Sequence, residues 1–175
     1  ELGLEEYIKQ YCYNTPNKFS DAEFIQSSHD LHKEEIMQPF CQKIYSVLND
    51  IVDVYQYIGH ELEITGMWGN IQKPNTYFKH HTHYNNIFSG VFYLNENEGF
   101  PDITFWRSEE TSFDPKRVEF NPFNRGSWFE RTEKDKLIIF PAWLQHSVDL
   151  NKTNEDRISI SFNAILKGDY YNVTI

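Results

Sequence analysis

Cysteine is scarce in this chain. Cys12 and Cys41 are the only two, and neither stands in a CxxC or other metal-ligand spacing. The pair therefore reads as two buried free thiols in a reducing compartment rather than a disulfide framework or a zinc knuckle. Long apolar runs are missing too. None approaches the roughly 18–20 residues of a membrane span, and no signal-peptide pattern opens the sequence, so a soluble, cytoplasmic protein is expected. Basic residues are outnumbered, 16 against 26 acidic, for a net charge of -10. Duplex DNA and other polyanions are repelled at long range by such a balance, and nucleic acid is not an expected partner. What the chain has in quantity is aromatic: 17%, with 14 Phe and 11 Tyr, which favours a β-rich core.

At 175 residues the chain is long enough for one domain with a substantial core and short for two. Residues 1–57 read mostly as helix. Leu4 to Cys12 is a short amphipathic segment stopped by Asn14-Thr15-Pro16-Asn17, and Ser20-Asp21-Ala22-Glu23 has the form of a capping box. Phe40, Cys41, Ile44, Leu48, Ile51 and Val52 recur at helical spacing, with Pro39 suited to the first turn. After Gly59 the period changes to that of strands. Leu62, Ile64, Gly66 and Trp68 alternate with Glu61, Glu63, Thr65 and Met67, and strand-like runs follow at 77–83, 87–94, 103–106, 127–130, 137–140, 143–148 and 157–163. Seven or eight short strands with no helices between them predict a sandwich or barrel, with 1–58 as helical support and 59–175 as the β core. There is no internal repeat. The charged, aperiodic segment from Arg107 to Arg125 has the length of a lid or substrate loop.

His81 and His83 lie two apart in one extended run, so both imidazoles are expected on one face, half of a transition-metal site. The other half is expected from a distant strand, with His146 as the candidate; the alternative is ordinary histidines on a polar face. His80 should face the opposite way. His29, His32 and His60 have no partner spacing and read as surface or helix-packing residues.

In Arg157-Ile158-Ser159-Ile160-Ser161-Phe162-Asn163 the polar residues share one face and the apolar residues the other. An arginine projecting into a small barrel is costly unless it meets an anion. A dicarboxylate would serve, gripped through two parallel hydrogen bonds with Ser159 adding a third; a salt bridge to an acidic residue elsewhere would serve as well.

Five blocks in order carry a resemblance: Trp68-Gly69-Asn70, His81-x-His83, Ser89-Gly90-Val91-Phe92-Tyr93-Leu94, Phe140-Pro141-Ala142-Trp143-Leu144-x-His146-x-Val148 and Arg157-Ile158-Ser159-Ile160-Ser161-Phe162-Asn163. Together they resemble the 2-oxoglutarate/Fe(II)-dependent oxygenases, and within them a small subfamily found in bacteria and marine bacteriophages. The resemblance covers about residues 64–163 and implies a double-stranded β-helix, or jelly roll, that holds one ferrous ion. By position, His81 and His146 match the two histidine ligands. His83 stands where the superfamily places a carboxylate; either it coordinates, giving three neutral ligands, or it leaves an open position, and direct coordination is the favoured reading. Arg157 and Ser159 look like the pair that grips the distal carboxylate of 2-oxoglutarate, and Asn70 and Tyr77 fall where relatives place polar groups toward that cosubstrate. Trp143 and Phe140 are expected as wall and core residues, and Gly90 as a site of close backbone packing. The implied reaction couples decarboxylation of 2-oxoglutarate to succinate with hydroxylation of a C–H bond.

Two other readings compete. A three-histidine centre also suits cupin-type dioxygenases that need no 2-oxo acid, and a non-catalytic jelly-roll module can hold a metal for stability. A carboxylate clamp at Arg157 is superfluous for the latter. The substrate is expected to be a small molecule or a protein side chain, and a homodimer through the helices or an edge strand is compatible with the pattern.

Overall fold

The alternation along residues 157–163 belongs to the longest pairing in the protein, whose structure, a computed structural model, describes residues 3–18, 20, 24–57, 61–107, 116, 118–121 and 124–168. The order is α1 (Leu4–Asn14), β1 (Phe24–Gln26), two single 3-10 turns, α2 (Gln38–Tyr55), β2 (Glu61–Gln72), β3 (Phe78–His81), β4 (Phe88–Tyr93), β5 (Ile103–Trp106), β6 (Ser127–Glu130), β7 (Leu137–Pro141), β8 (His146–Val148) and β9 (Arg157–Lys167). β9 pairs antiparallel with β2 from Arg157↔Gln72 to Lys167↔Glu61, broken by one bulge at Ile64/Gly66. Around this pair a five-stranded sheet forms in the order β1-β2-β9-β4-β7, faced by a four-stranded sheet in the order β3-β8-β5-β6. Two facing antiparallel sheets with helices on one side make a jelly roll.

The period of 2 decides what each face of β9 does. Ile158, Ile160, Phe162 and Ala164 turn outward into a core shared with Ile8, Cys12, Ile44, Leu48, Met67 and Ile71, which seats α1 and α2 on the back of the larger sheet. A second core of Val91, Tyr93, Ile103, Phe105, Phe140, Leu144 and Val148 lies between the sheets. Arg157, Ser159, Ser161 and Asn163 face that interior as well, where they line a cavity. Close approach needs glycine at two points. A Cβ at Gly69 would meet the Cys12 sulfur at 2.6 Å, so α1 rests directly on β2; a Cβ at Gly90 would meet the Phe162 ring at 2.3 Å. Gly90 thus admits a core ring on the helix side, and lines the cavity only through its backbone.

Several expectations need correction. The N-terminal region is not helix alone: Phe24–Gln26 is a strand that pairs with β2 at Gln72, Ile71 and Asn70 and lengthens the larger sheet, and three residues are too few to carry a period. Of the capping box, residues 21–23 lie outside the described residues. Ser20 instead braces β1, its hydroxyl donating to the Gln26 carbonyl at 2.7 Å and accepting from the Gln26 amide at 2.9 Å. The run at 143–148 is strand only from His146, and β3 stops at His81. Trp143 is 66% exposed and is neither wall nor core, because it lies in the turn that starts after Pro141. His60, Arg117 and most of the 107–125 loop lie outside the described residues. Cys12 and Cys41 are free and buried, and burial pushes the Cys12 thiol up to about 12. No helix among the described residues is long and apolar enough to cross a membrane.

Candidate active site

His81 closes β3 and His146 opens β8, and the two are direct cross-strand partners. Directly opposed residues on one face bring their side chains together, and here the ring centroids are 4.2 Å apart. His83 arrives differently. It lies two residues beyond the end of β3, so the period of a strand is not what aligns it with His81. Its amide donates to the Ala142 carbonyl at 2.9 Å, which pins the loop against the turn before β8 and sets its ring 5.1 Å from His81 and 5.2 Å from His146. One ring nitrogen from each of the three lies within 4.8 Å of the others.

The donor chemistry suits a metal ion. His81 Nδ1 lies 2.8 Å from the Lys79 carbonyl and His146 Nδ1 lies 2.9 Å from the Leu144 carbonyl. A carbonyl only accepts, so Nδ1 carries the proton in both rings and the Nε2 lone pair is left for a metal. Burial pushes His83 down to about 3 and His146 down to about 4, with the neighbouring imidazoles adding to both shifts. Both rings are neutral in the folded protein at physiological pH, as ligands must be.

These depressed values link stability to pH. The unfolded chain holds protons on both histidines below their ordinary 6.5, whereas the folded chain does not until about pH 3–4. Between those limits the unfolded state binds more protons, so stability falls with falling pH. The metal-free protein is expected to lose on the order of a few kcal/mol between pH 7 and pH 4. Chemical denaturation at a series of pH values checks this, and a midpoint that does not move over that range would contradict it.

At the other end of the cavity Arg157 is buried, with only 3% of its surface exposed. Its Nε donates to Thr132 Oγ1 at 3.0 Å and its Nη1 to Gln72 Oε1 at 3.3 Å, while its guanidinium carbon lies 4.7 Å from the centre of the Tyr93 ring. Among the described residues no carboxylate forms an ion pair with it; Asp102 acts from further away and binds the Thr132 amide instead. The fully buried Tyr93 hydroxyl feels the charge of Arg157 but has no hydrogen-bond partner of proper geometry. A buried cation with no ion-paired carboxylate among the described residues, beside a hydroxyl whose approach to Thr132 and Arg157 makes no well-formed hydrogen bond, fits the carboxylate of a ligand.

The cavity joining the two ends has a volume of about 280 Å³, near the lower limit of roughly 300 Å³ for small-molecule sites. Ser159 and Asn70, cross-strand partners, line it. Asn70 accepts from Gln26 Nε2 at 2.9 Å and donates to Ser161 Oγ at 2.9 Å. Phe140 packs 4.8 Å from His146. Tyr77 departs from expectation. It precedes β3, is 56% exposed, and lines a separate surface groove with Lys79 and His80. His80 turns outward and packs on Trp106 at 4.4 Å. His32 does not reach the cavity.

Among the cavity residues that escaped sequence reasoning are Tyr93 and His29. Tyr93 follows Val91 at the spacing of one strand face, a signal present but unread. His29 gave no signal: it sits before the first 3-10 turn, stacks on Trp68 at 4.5 Å, and is fixed by the Met67 amide on its carbonyl and by Asn17 on Nε2.

Residues 66–163, more than half of the chain, match the family model described as "Putative 2OG-Fe(II) oxygenase". No curated protein is significantly similar in sequence. Solved structures share the fold at low identity. A Pseudomonas putida prolyl-4-hydroxylase is 12% identical at a TM-score of 0.64, over 91% of this chain and 83% of that one. The α-ketoglutarate-dependent epimerase SnoN of nogalamycin biosynthesis is 10% identical at 0.68, over 91% and 69%. HygX from Streptomyces hygroscopicus, solved with nickel and 2-oxoglutarate bound, is 9% identical at 0.62, over 91% and 76%. With the matched segment spanning the three histidines and the buried arginine, the chain belongs to the 2OG-Fe(II) oxygenase family, enzymes whose cofactors are ferrous iron and 2-oxoglutarate.

Proposed function

We propose that this protein is a dioxygenase that hydroxylates a small-molecule or side-chain substrate while 2-oxoglutarate is decarboxylated to succinate. One observation carries the reading: a buried arginine with no carboxylate partner among the described residues shares a small cavity with three histidines. A metal held only for stability has no use for such a cation, and a dioxygenase without a 2-oxo acid has none either.

His81, His83 and His146 would hold the iron through Nε2 of the first and last and one ring nitrogen of His83. Arg157 would bind the distal carboxylate of 2-oxoglutarate, helped by the Ser159 and Tyr93 hydroxyls, and Asn70 would border its path. Ile103, Val91, Phe140 and Val148 keep the intervening space apolar, which strengthens each polar contact within it. When bound, the iron supplies the redox chemistry that couples oxidation of the 2-oxo acid to that of the substrate. The protein's share is orientation, neutral donors and exclusion of water. With two buried free thiols, we place this activity in a reducing, cytoplasmic setting.

The test is anaerobic addition of 2-oxoglutarate to Fe(II)-loaded protein, followed by air. A weak visible charge-transfer band and then succinate formation are expected. Iron that binds without the band would favour the dioxygenase that uses no 2-oxo acid, and failure to bind iron would favour the non-catalytic module.

A further inference from the structure

The cavity wall carries a single formal charge. Among the described residues Arg157 is the only Lys or Arg that lines it and no Asp or Glu does, Asp102 acting on Arg157 only from further away, in a chain of net charge -10. A divalent metal and the guanidinium together bring three positive charges; the 2-oxoglutarate dianion cancels two, and one remains. The residue that leaves this imbalance is His83, a neutral group where a carboxylate ligand would have balanced the charge. An uncompensated charge in a small, largely apolar cavity is unfavourable and attracts an anion.

Donors for that anion lie along the face of β9 beyond the cosubstrate end. Ser161 is the cross-strand partner of Trp68, which in turn lies 5.9 Å from the His83 ring. Its hydroxyl accepts from Asn70 and gives its own proton to no protein group. Asn163 Oδ1 accepts from Ser89 Oγ at 2.7 Å, which leaves Asn163 Nδ2 without a protein acceptor. Both residues line the cavity with His29.

We propose that the substrate is a small organic anion whose carboxylate enters the metal- and 2-oxoglutarate-loaded cavity and is received by Ser161 and Asn163, its charge balanced because His83 replaces an acidic ligand. This rests on the reading of His81, His83 and His146 as ligands and of Arg157 as the cosubstrate clamp.

Calorimetry on Ni(II)-loaded protein saturated with 2-oxoglutarate tests it, with formate as the probe, formamide as its neutral counterpart and inorganic phosphate as a second oxyanion. Formate should bind with one-to-one stoichiometry, at least about tenfold tighter than formamide. His83→Asp, which supplies the missing negative charge, should lose that preference, and His83→Asn, the neutral isostere, should keep it. Formate that binds no tighter than formamide, or that acts only by displacing 2-oxoglutarate, overturns the proposal. So does an equal preference in His83→Asp. Phosphate binding well above formate with the same His83 dependence would overturn the carboxylate in favour of a phosphate group. Where the variants hold no metal, formate that binds the unmodified protein no tighter than formamide still overturns the proposal. If nickel and 2-oxoglutarate themselves fail to bind, the reading of the site fails before any probe is added.

Discussion

Arg157→Met is expected to weaken 2-oxoglutarate binding by at least about a hundredfold while leaving metal binding unchanged. A buried charge-assisted pair that loses one partner costs roughly 2–5 kcal/mol, and a bidentate guanidinium–carboxylate contact lies at the upper end. The metal is indifferent because Arg157 contacts Thr132, Gln72 and Tyr93 but none of the three histidines. The free protein should lose little. The guanidinium is buried with no ion-paired carboxylate among the described residues, and burial pushes it below its ordinary value, so an apolar side chain of similar length removes a desolvation cost. Opposing this, Gln72 Oε1 loses its arginine donor, although Gln72 Nε2 keeps the Thr76 and Asp149 carbonyls. These effects should offset to within about 2 kcal/mol. Melting curves with and without 2-oxoglutarate on metal-loaded protein measure both quantities at once. The unmodified protein should gain about 2.7 kcal/mol at a hundredfold excess over Kd, and the variant almost nothing at the same concentration. Equal stabilisation of both would remove Arg157 from the cosubstrate site.

His146→Ala is expected to empty the metal site. His146 is only 4% exposed, and its ring is oriented from two sides, by the Leu144 carbonyl on Nδ1 and by Phe140 and Phe105 against its faces and edges. Loss of an outer hydrogen bond to a metal ligand costs 10- to 100-fold in affinity as a rule; loss of the ligand itself should cost more, on the order of a thousandfold. Metal content after equilibrium dialysis at micromolar iron or nickel should fall from one per chain to near zero. His80→Ala is the control, since His80 lies one residue from His81 but packs on Trp106 outside the cavity. It should retain its metal. Metal retained by His146→Ala, or lost by His80→Ala, would mean that the three-histidine cluster is not the site.

Much of the larger sheet could be read along the chain, because the period of a strand is a local property. The alternation at Arg157–Asn163 separates the cavity residues from Ile158, Ile160 and Phe162 without reference to any other segment, and in the fold those two sets part as expected. The family blocks likewise lie within local stretches. The helical positions Cys41, Ile44, Leu48 and Val52 are buried on one face of α2 for the same reason. Local pattern failed where a residue's surroundings come from elsewhere. Phe24–Gln26 is a strand only because the edge of β2 is there to pair with it. Tyr77 and Trp143 sit in promising stretches, yet Tyr77 falls in the irregular segment before β3 and Trp143 in a turn, and both are exposed.

By itself, then, the sequence determined which faces are polar, that two histidines stand close together with a third far along the chain, and that an arginine projects from a strand with no acidic neighbour in that strand. Only the tertiary structure decided that His81 and His146 oppose each other across β3 and β8, that a loop tied to Ala142 supplies His83, that Arg157 has no carboxylate partner among the described residues, and that Tyr93 and His29 share its cavity. The reason is physical. Periodicity records which way a side chain points from its own backbone, whereas a site is made by contacts between segments far apart in the chain, and those depend on strand pairing and loop paths that no single stretch encodes.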